Sequence, residues 1–218
     1  MSKTPSKTME PPPNHFSPKE INSPNKETTG VSKTVYVHIS NLHRQLTDWI
    51  RVRDKGTKLC KAISSLKVHE CDDDYYPQQL EPLTESLMEA LESLKDVVDG
   101  VKTLDQQLQA LAKLQPGPQP VILTWPMNEI SKTVSSILDG LNKEYRLKQI
   151  VTENIAHCRD EHLIEMYVSA WEFEAYFHED SYAYLFVDVG LTVIKSSPNS
   201  KSRLLAVAAH NKSRFFTK

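Results

Sequence analysis

From Leu80 to Leu111 the apolar residues Leu80, Leu83, Leu87, Ala90, Leu94, Val97, Val101, Leu104, Leu108 and Leu111 follow one another at unbroken steps of three and four. That spacing is the a/d seam of a coiled coil or of a long bundle helix. Glu81, Glu85, Glu89, Glu92, Lys95, Asp96, Asp99 and Lys102 fall between the seam positions and form a wet, mostly acidic outer face. At about 1.5 Å of rise per residue such a helix is roughly 45–50 Å long and cannot bury its stripe on itself. It requires neighbouring helices. Leu91, Val98 and Ala112 occupy e positions and widen the stripe, which suits a helix touching two neighbours. Because one intramolecular neighbour uses only one strip, the e strip is left for the third helix or another subunit, and a heteromeric helical contact is expected at Leu91 and Val98.

The neighbours are legible on both sides. From Val35 onward Ile39, Leu42, Leu46, Trp49, Cys60 and Ile63 repeat the same spacing, with Arg53 and Gly56 as weak members, and this helix is expected to end near Leu66. Gly56 costs about 1 kcal/mol relative to Ala in a helix interior, which predicts a kink or a close helix contact there. Pro116-Gly117-Pro118-Gln119-Pro120 stops the second helix. Pro126 suits the first position of a third, where its missing N–H costs nothing. Ile130, Val134, Ile137, Leu141, Tyr145, Lys148, Val151 and Ile155 then mark one face through about His157. Asp160 is placed to cap a shorter fourth helix, with Leu163, Ile164, Tyr167, Val168 and Trp171 on its buried side. For Tyr182 to Ile194 the residue types favour a strand, but a lone strand would lack a partner, so a helix is expected. The fold class that follows is all-α: a long antiparallel bundle or coiled coil of three long helices plus short C-terminal helices.

In domain terms, residues 1–34 hold six of the thirteen prolines and few bulky apolar residues, which predicts a disordered tail. Thr4-Pro5-Ser6-Lys7 and Ser23-Pro24-Asn25-Lys26 fit the pattern preferred by cyclin-dependent kinases, making Thr4 and Ser23 candidate phosphorylation sites. Residues 35–115 form the helical hairpin and 121–195 the C-terminal helical part. Residues 196–218 form a basic, mobile tail in which Lys201, Arg203, Lys212, Arg214 and Lys218 stand without acids.

A net charge of −2 over 218 residues gives no global pull toward nucleic acid, and no apolar run is long enough to span a bilayer. Three cysteines, Cys60, Cys71 and Cys158, in a chain without a secretory signal are expected to be reduced thiols. The six glycines are too far apart to build a phosphate-cradling loop. Asp72, Asp73 and Asp74 lack the spacing and glycine of a calcium loop. His157, Cys158 and His162 do not share one helix face. No catalytic, cofactor or metal residue is therefore expected, and the reading is of a non-catalytic protein that works through helix surfaces. Trp125, Tyr167, Trp171 and Tyr176 are the candidate partner anchors, since aromatic residues carry much of the energy at interfaces. Trp125, Tyr167 and Trp171 also suit a core role, whereas Tyr176 follows the end of the predicted apolar face and is the best interface candidate of the four.

Beginning at Thr124-Trp125-Pro126, and continuing through Lys143-Glu144, Leu147-Lys148, Val151, Ala156-His157, Asp160, Leu163, Tyr167, Ser169, Trp171 and Tyr176, the chain resembles the cyclin-dependent kinase 2-interacting proteins. Gly56, Ile63 and Leu66-Lys67 echo the family earlier in the chain, and Ala175 stands where the family pattern has proline. The resemblance implies a nuclear adaptor in a hetero-oligomer. Its implied partners are a cyclin-dependent kinase, the origin-firing kinase, the partner subunit of the ATR kinase and subunits of an AAA+ ATPase assembly. That assembly is tied to replisome proteins and large-subunit ribosome maturation. Two other readings remain open at this level: a structural coiled-coil subunit of another complex, and a nucleic-acid-binding accessory protein acting through residues 195–218.

Overall fold

A computed structural model describes residues 30–70, 78–177 and 180–192. Among the described residues the structure is all-α apart from one two-stranded ribbon. In order it contains α1 (Gly30–Glu70), α2 (Leu80–Leu114), β1 (Pro120–Ile122), β2 (Trp125–Pro126), α3 (Met127–Ile155), α4 (Glu161–Glu172) and α5 (Asp180–Asp188).

The seam of α2 is satisfied within the chain. Leu80, Leu87, Ala90, Leu94, Val97, Val101, Leu104 and Leu108 are buried, and Leu83 and Leu111 pack against the same core. The helix lies between α1 and α3 and contacts both along its length. On α1 the complementary stripe is Val35, Ile39, Leu42, Leu46, Trp49, Cys60 and Ile63, all fully buried; on α3 it is Met127, Ile130, Val134, Ile137, Leu141, Val151 and Ile155. Near the end of α1, Lys67 Nζ donates to the carbonyl of Ala156 just past α3 (2.6 Å), so those two helices finish at the same end. Fully burying a Leu, Ile or Val side chain contributes about 1.5–3 kcal/mol. The three stripes together therefore dominate the gross stabilisation of this body.

The remaining elements cover the side that α2 leaves open. α4 packs on α1 and α3, and α5 on α3. Asp160 caps α4 as expected, its Oδ1 accepting from the backbone N–H of His162 (2.9 Å) and Leu163 (3.3 Å). The end of α5 is set by Gly190, whose φ of +75° allows Gly190 N–H to reach Val187 O (2.9 Å) and Leu191 N–H to reach Phe186 O (2.8 Å). That pair of bonds is a Schellman motif, and it satisfies carbonyls the helix would otherwise leave unpaired. Beyond it, the ring of His43 donates from Nε2 to the carbonyl of Thr192 (2.8 Å) and lies edge-on to Phe186.

Several expectations are corrected. The first helix starts at Gly30, not Val35, and runs to Glu70, so residues 30–34 belong to a helix and not to a tail. Val31 packs against the core and Thr34 Oγ1 donates back to Gly30 O (3.0 Å), which extends the helix toward its N-terminus. α1 continues unbroken through Gly56, so of the two expectations there the kink fails and the close helix contact holds, Trp171 of α4 lying on that glycine. Residues 120–126 form an antiparallel ribbon, pairing Ile122 with Trp125, that periodicity gave no sign of. Leu123 turns the ribbon with φ +39°, an uncommon conformation for a branched residue. Pro126 is the N-cap of α3 and Met127 its first residue. The C-terminal helix occupies Asp180–Asp188, shorter than the expected Tyr182–Ile194 at its far end because Gly190 terminates it. Thr4, Ser23, Asp72–Asp74 and the basic segment from Lys195 lie outside the described residues.

Candidate functional site

Where α4 and the 173–177 connection cross α1 and α3, the chain buries charge alongside hydrocarbon. Arg53 holds a seam position of α1 and Glu174 follows α4; Nη1 and Oε1 are 3.0 Å apart with side chains only 5% and 7% exposed. Trp49 Nε1, one turn earlier on α1, donates to the same carboxylate oxygen (2.9 Å). Asp54 takes the other edge of the guanidinium, through Nε (3.1 Å) and Nη2 (2.9 Å). Burial works against the Arg53 charge, but Glu174 and Asp54 outweigh it and raise the guanidinium above its ordinary pKa. Burial also pushes the Glu174 carboxyl up; Arg53, the Trp49 hydrogen bond and Lys148 pull it back, and Glu144 adds to the rise.

A second pair lies on α3. Lys148 Nζ and Glu144 Oε2 are 3.1 Å apart, one turn from each other, and both side chains are fully buried. The other oxygen of Glu144 accepts the backbone N–H of Tyr176 (2.6 Å). Next to this, Gly140 leaves room for the connection: a Cβ there would sit 2.8 Å from the carbonyl oxygen of Tyr176. On the α1 side, Trp171 lies over Gly56 and donates from Nε1 to the carbonyl of Arg53 (3.1 Å). Cys60 is buried beside these groups; burial pushes its thiol up to about 12, opposed by Lys148. Such a thiol is not a nucleophile at neutral pH.

This network fixes one side chain in an accessible position. Tyr176 is 53% exposed although its amide is held by a buried carboxylate and its carbonyl rests on Gly140. Its ring therefore projects from a backbone that is already ordered, which lowers the entropic cost of using it as an anchor.

The other candidates fall elsewhere. Trp171 is 0% exposed and Val98 is 5% exposed, so both belong to the chain's own core, not to an open face. The e strip of α2 is used inside the fold, because α1 and α3 flank that helix on two sides. Leu91 and Tyr167 are half-buried against the core. Trp125 is half-buried and donates from Nε1 to Asp188 Oδ2 (2.8 Å), which also accepts Thr124 Oγ1 (3.0 Å). The Thr-Trp-Pro motif thus ties the ribbon to the last residue of α5. Of the anchors expected from sequence, the structure places Tyr176 outward and Trp171 inward, five residues apart. Arg53, Glu144, Lys148 and Glu174 are the residues that sequence reasoning passed over as a set. Arg53 and Lys148 interrupting otherwise apolar stripes were the signal.

Among the described residues no group of three His, Cys, Asp or Glu side chains is placed to hold a metal ion. No helix among them is long and apolar enough to cross a membrane.

No protein-family model matches the chain. It is similar to two curated proteins named cyclin-dependent kinase 2-interacting protein, one from Bos taurus and one from Homo sapiens. Each is 23% identical to it over 191 aligned residues, covering 75% of this chain and 90% of the relative. The resemblance first seen from Thr124-Trp125-Pro126 onward is thus a likeness over three quarters of the chain.

Proposed function

We propose that this protein is a non-catalytic, kinase-interacting adaptor that docks partners through the surface centred on Tyr176. The observation that carries the reading is an exposed aromatic side chain on a backbone clamped by buried Glu144, within the stretch that resembles the cyclin-dependent kinase 2-interacting proteins. Tyrosine is among the residue types that carry most of the binding energy at interfaces. Trp125 and Tyr167, each half-buried, are further candidate contact residues. The finer proposal is a nuclear subunit of hetero-oligomers that links a cyclin-dependent kinase and the origin-firing kinase in replication. It also includes the ATR partner subunit in checkpoint signalling and an AAA+ ATPase assembly in replisome proteostasis and large-ribosomal-subunit maturation. Its support is the family resemblance.

The test is recovery of cyclin-dependent kinase 2 with its cyclin on the immobilised full chain, wild type against Tyr176→Ala. The expected result is retention by the wild type and a drop of about tenfold or more for the variant, with unchanged circular dichroism. No retention by the wild type overturns the kinase reading. Equal retention by both moves the docking surface away from Tyr176.

A further inference from the structure

We propose that the exposed apolar patch of Leu123, Tyr184 and Val187 is a docking surface for residues 204–209 of this same chain. The contact is independent of the adaptor reading, and it gives the tail, expected from sequence to be mobile, a place on the fold.

One carboxylate assembles the patch. Asp188 Oδ2, on the last residue of α5, accepts from Thr124 Oγ1 (3.0 Å) and Trp125 Nε1 (2.8 Å), which draws the turn of the ribbon onto the end of that helix. Leu123 immediately precedes Thr124, and Val187 immediately precedes Asp188. Tyr184 lies one turn back along α5, on the same side as Val187. Leu123 is 61% exposed, Tyr184 76% and Val187 55%, while Tyr182, Leu185 and Phe186 of the same helix are fully buried. Exposed apolar residues scattered singly are ordinary; a contiguous group of them marks an interaction site.

Leu123 carries a second sign. It holds φ at +39°, a conformation that glycine adopts without steric cost and that is an outlier for a bulky residue. Its side chain gains little burial within the described fold in return. Strain of this kind persists at places where a side chain is wanted for contact.

The occupant follows from where the chain goes next. Leu191 N–H bonds back to Phe186 O (2.8 Å), and the Thr192 carbonyl accepts from His43, so the chain leaves the described fold beside the last turn of α5. Val187 is five residues from Thr192 in sequence and hence no more than about 18 Å away. About twelve residues separate Thr192 from Leu204, enough to reach roughly 40 Å when extended. There the sequence reads Leu204-Leu205-Ala206-Val207-Ala208-Ala209, a continuous apolar run preceded by Lys201 and Arg203. The other flank, residues 1–29, contains no such run. Charge agrees with this choice. Asp188 accepts from two neutral donors and sits at the negative end of the α5 dipole, so the rim of the patch favours cations. A tether this short holds its cargo at an effective concentration on the order of millimolar, which populates even a weak contact.

The experiment is methyl and aromatic NMR on the full chain, wild type against the triple variant Leu204→Asp/Leu205→Asp/Val207→Asp, whose substitutions lie outside the described helices. In the wild type, nuclear Overhauser effects are expected between the Tyr184 ring and the methyls of Leu204, Leu205 or Val207, unchanged on dilution. The variant should lose them and shift the methyl resonances of Leu123 and Val187, while those of Leu94 and Val101 on α2 stay in place. Absence of these effects in the wild type overturns the proposal, as do Leu123 and Val187 resonances that are identical in the two proteins. A mixed sample of differently labelled chains separates contact within a chain from contact between chains. Effects seen only between chains would assign the patch to a second copy and overturn the intramolecular contact.

Discussion

The indole of Trp171 occupies the space that a side chain at position 56 would need, so α4 can approach α1 only because residue 56 is glycine. In the same contact Trp171 Nε1 donates to the carbonyl of Arg53 at 3.1 Å, which fixes the ring in place. A glycine that looks like a flaw in a helix is, in this setting, the seat of the largest side chain on its neighbour.

Gly56→Ala is expected to destabilise the fold by about 1–3 kcal/mol, the usual cost of overpacking. That sign is opposite to the gain of about 1 kcal/mol that alanine gives an unencumbered helix interior. Trp171→Ala is expected to cost about 3–5 kcal/mol. The double variant should cost clearly less than the sum, since the clash vanishes with the ring. Urea unfolding of the four proteins checks this. Strict additivity, or a stabilising Gly56→Ala, would show that the two residues do not meet.

Glu174 sets a pH dependence of defined sign. Burial raises its carboxyl pKa in the fold above the ordinary carboxylate value, so between those two values the folded state binds more protons than the unfolded one. The contribution of this group is therefore fully present below the ordinary value and is lost as pH rises through the raised one. Wild type and Glu174→Gln, unfolded side by side from pH 4 to 7, should show the wild type's stability declining relative to the variant as pH rises. A relative gain of the wild type over that window would contradict the buried placement of the carboxylate.

Cys60 and Cys158 should differ in alkylation. With its pKa pushed to about 12, Cys60 holds roughly one thiolate per ten thousand molecules at pH 8, against about a quarter for an ordinary thiol. Cys158 is half-buried beside the start of α4. Iodoacetamide under native conditions is expected to label Cys158 and spare Cys60, and both should react in denaturant. Peptide mass spectrometry reads the outcome. Equal native labelling would place Cys60 outside the core.

Much of the helical part was legible because a three-four spacing of aliphatic residues has only one regular solution. Ile39, Leu42, Leu46 and Trp49 are buried in the core they share with the seam of α2, as their spacing requires. Asp160 was readable as a cap because its chemistry is local. What escaped was non-local. A charged residue on a stripe reads as a gap, and nothing near Arg53 in sequence announces Glu174, which comes from the far side of α4. Likewise Glu144 and Lys148 look like an ordinary surface pair one turn apart until the connection carrying Tyr176 closes over them. Periodicity also marked Trp171 as apolar-facing without saying whose surface it faces; the gap left by Gly56 supplied the answer. The ribbon at Pro120–Pro126 was missed because so few residues carry no period at all.

The bond from His43 to Thr192 has a geographic consequence. It brings the last described residue to a point on α1 thirteen residues from Gly30, about 20 Å along the helix axis. The two flanking stretches of sequence, one bearing Thr4 and Ser23 and the other the lysines and arginines from Lys195 on, join the helices at one pole. The described ends of the chain, Gly30 and Thr192, thus lie toward the same end of α1, away from the end where Lys67 meets Ala156.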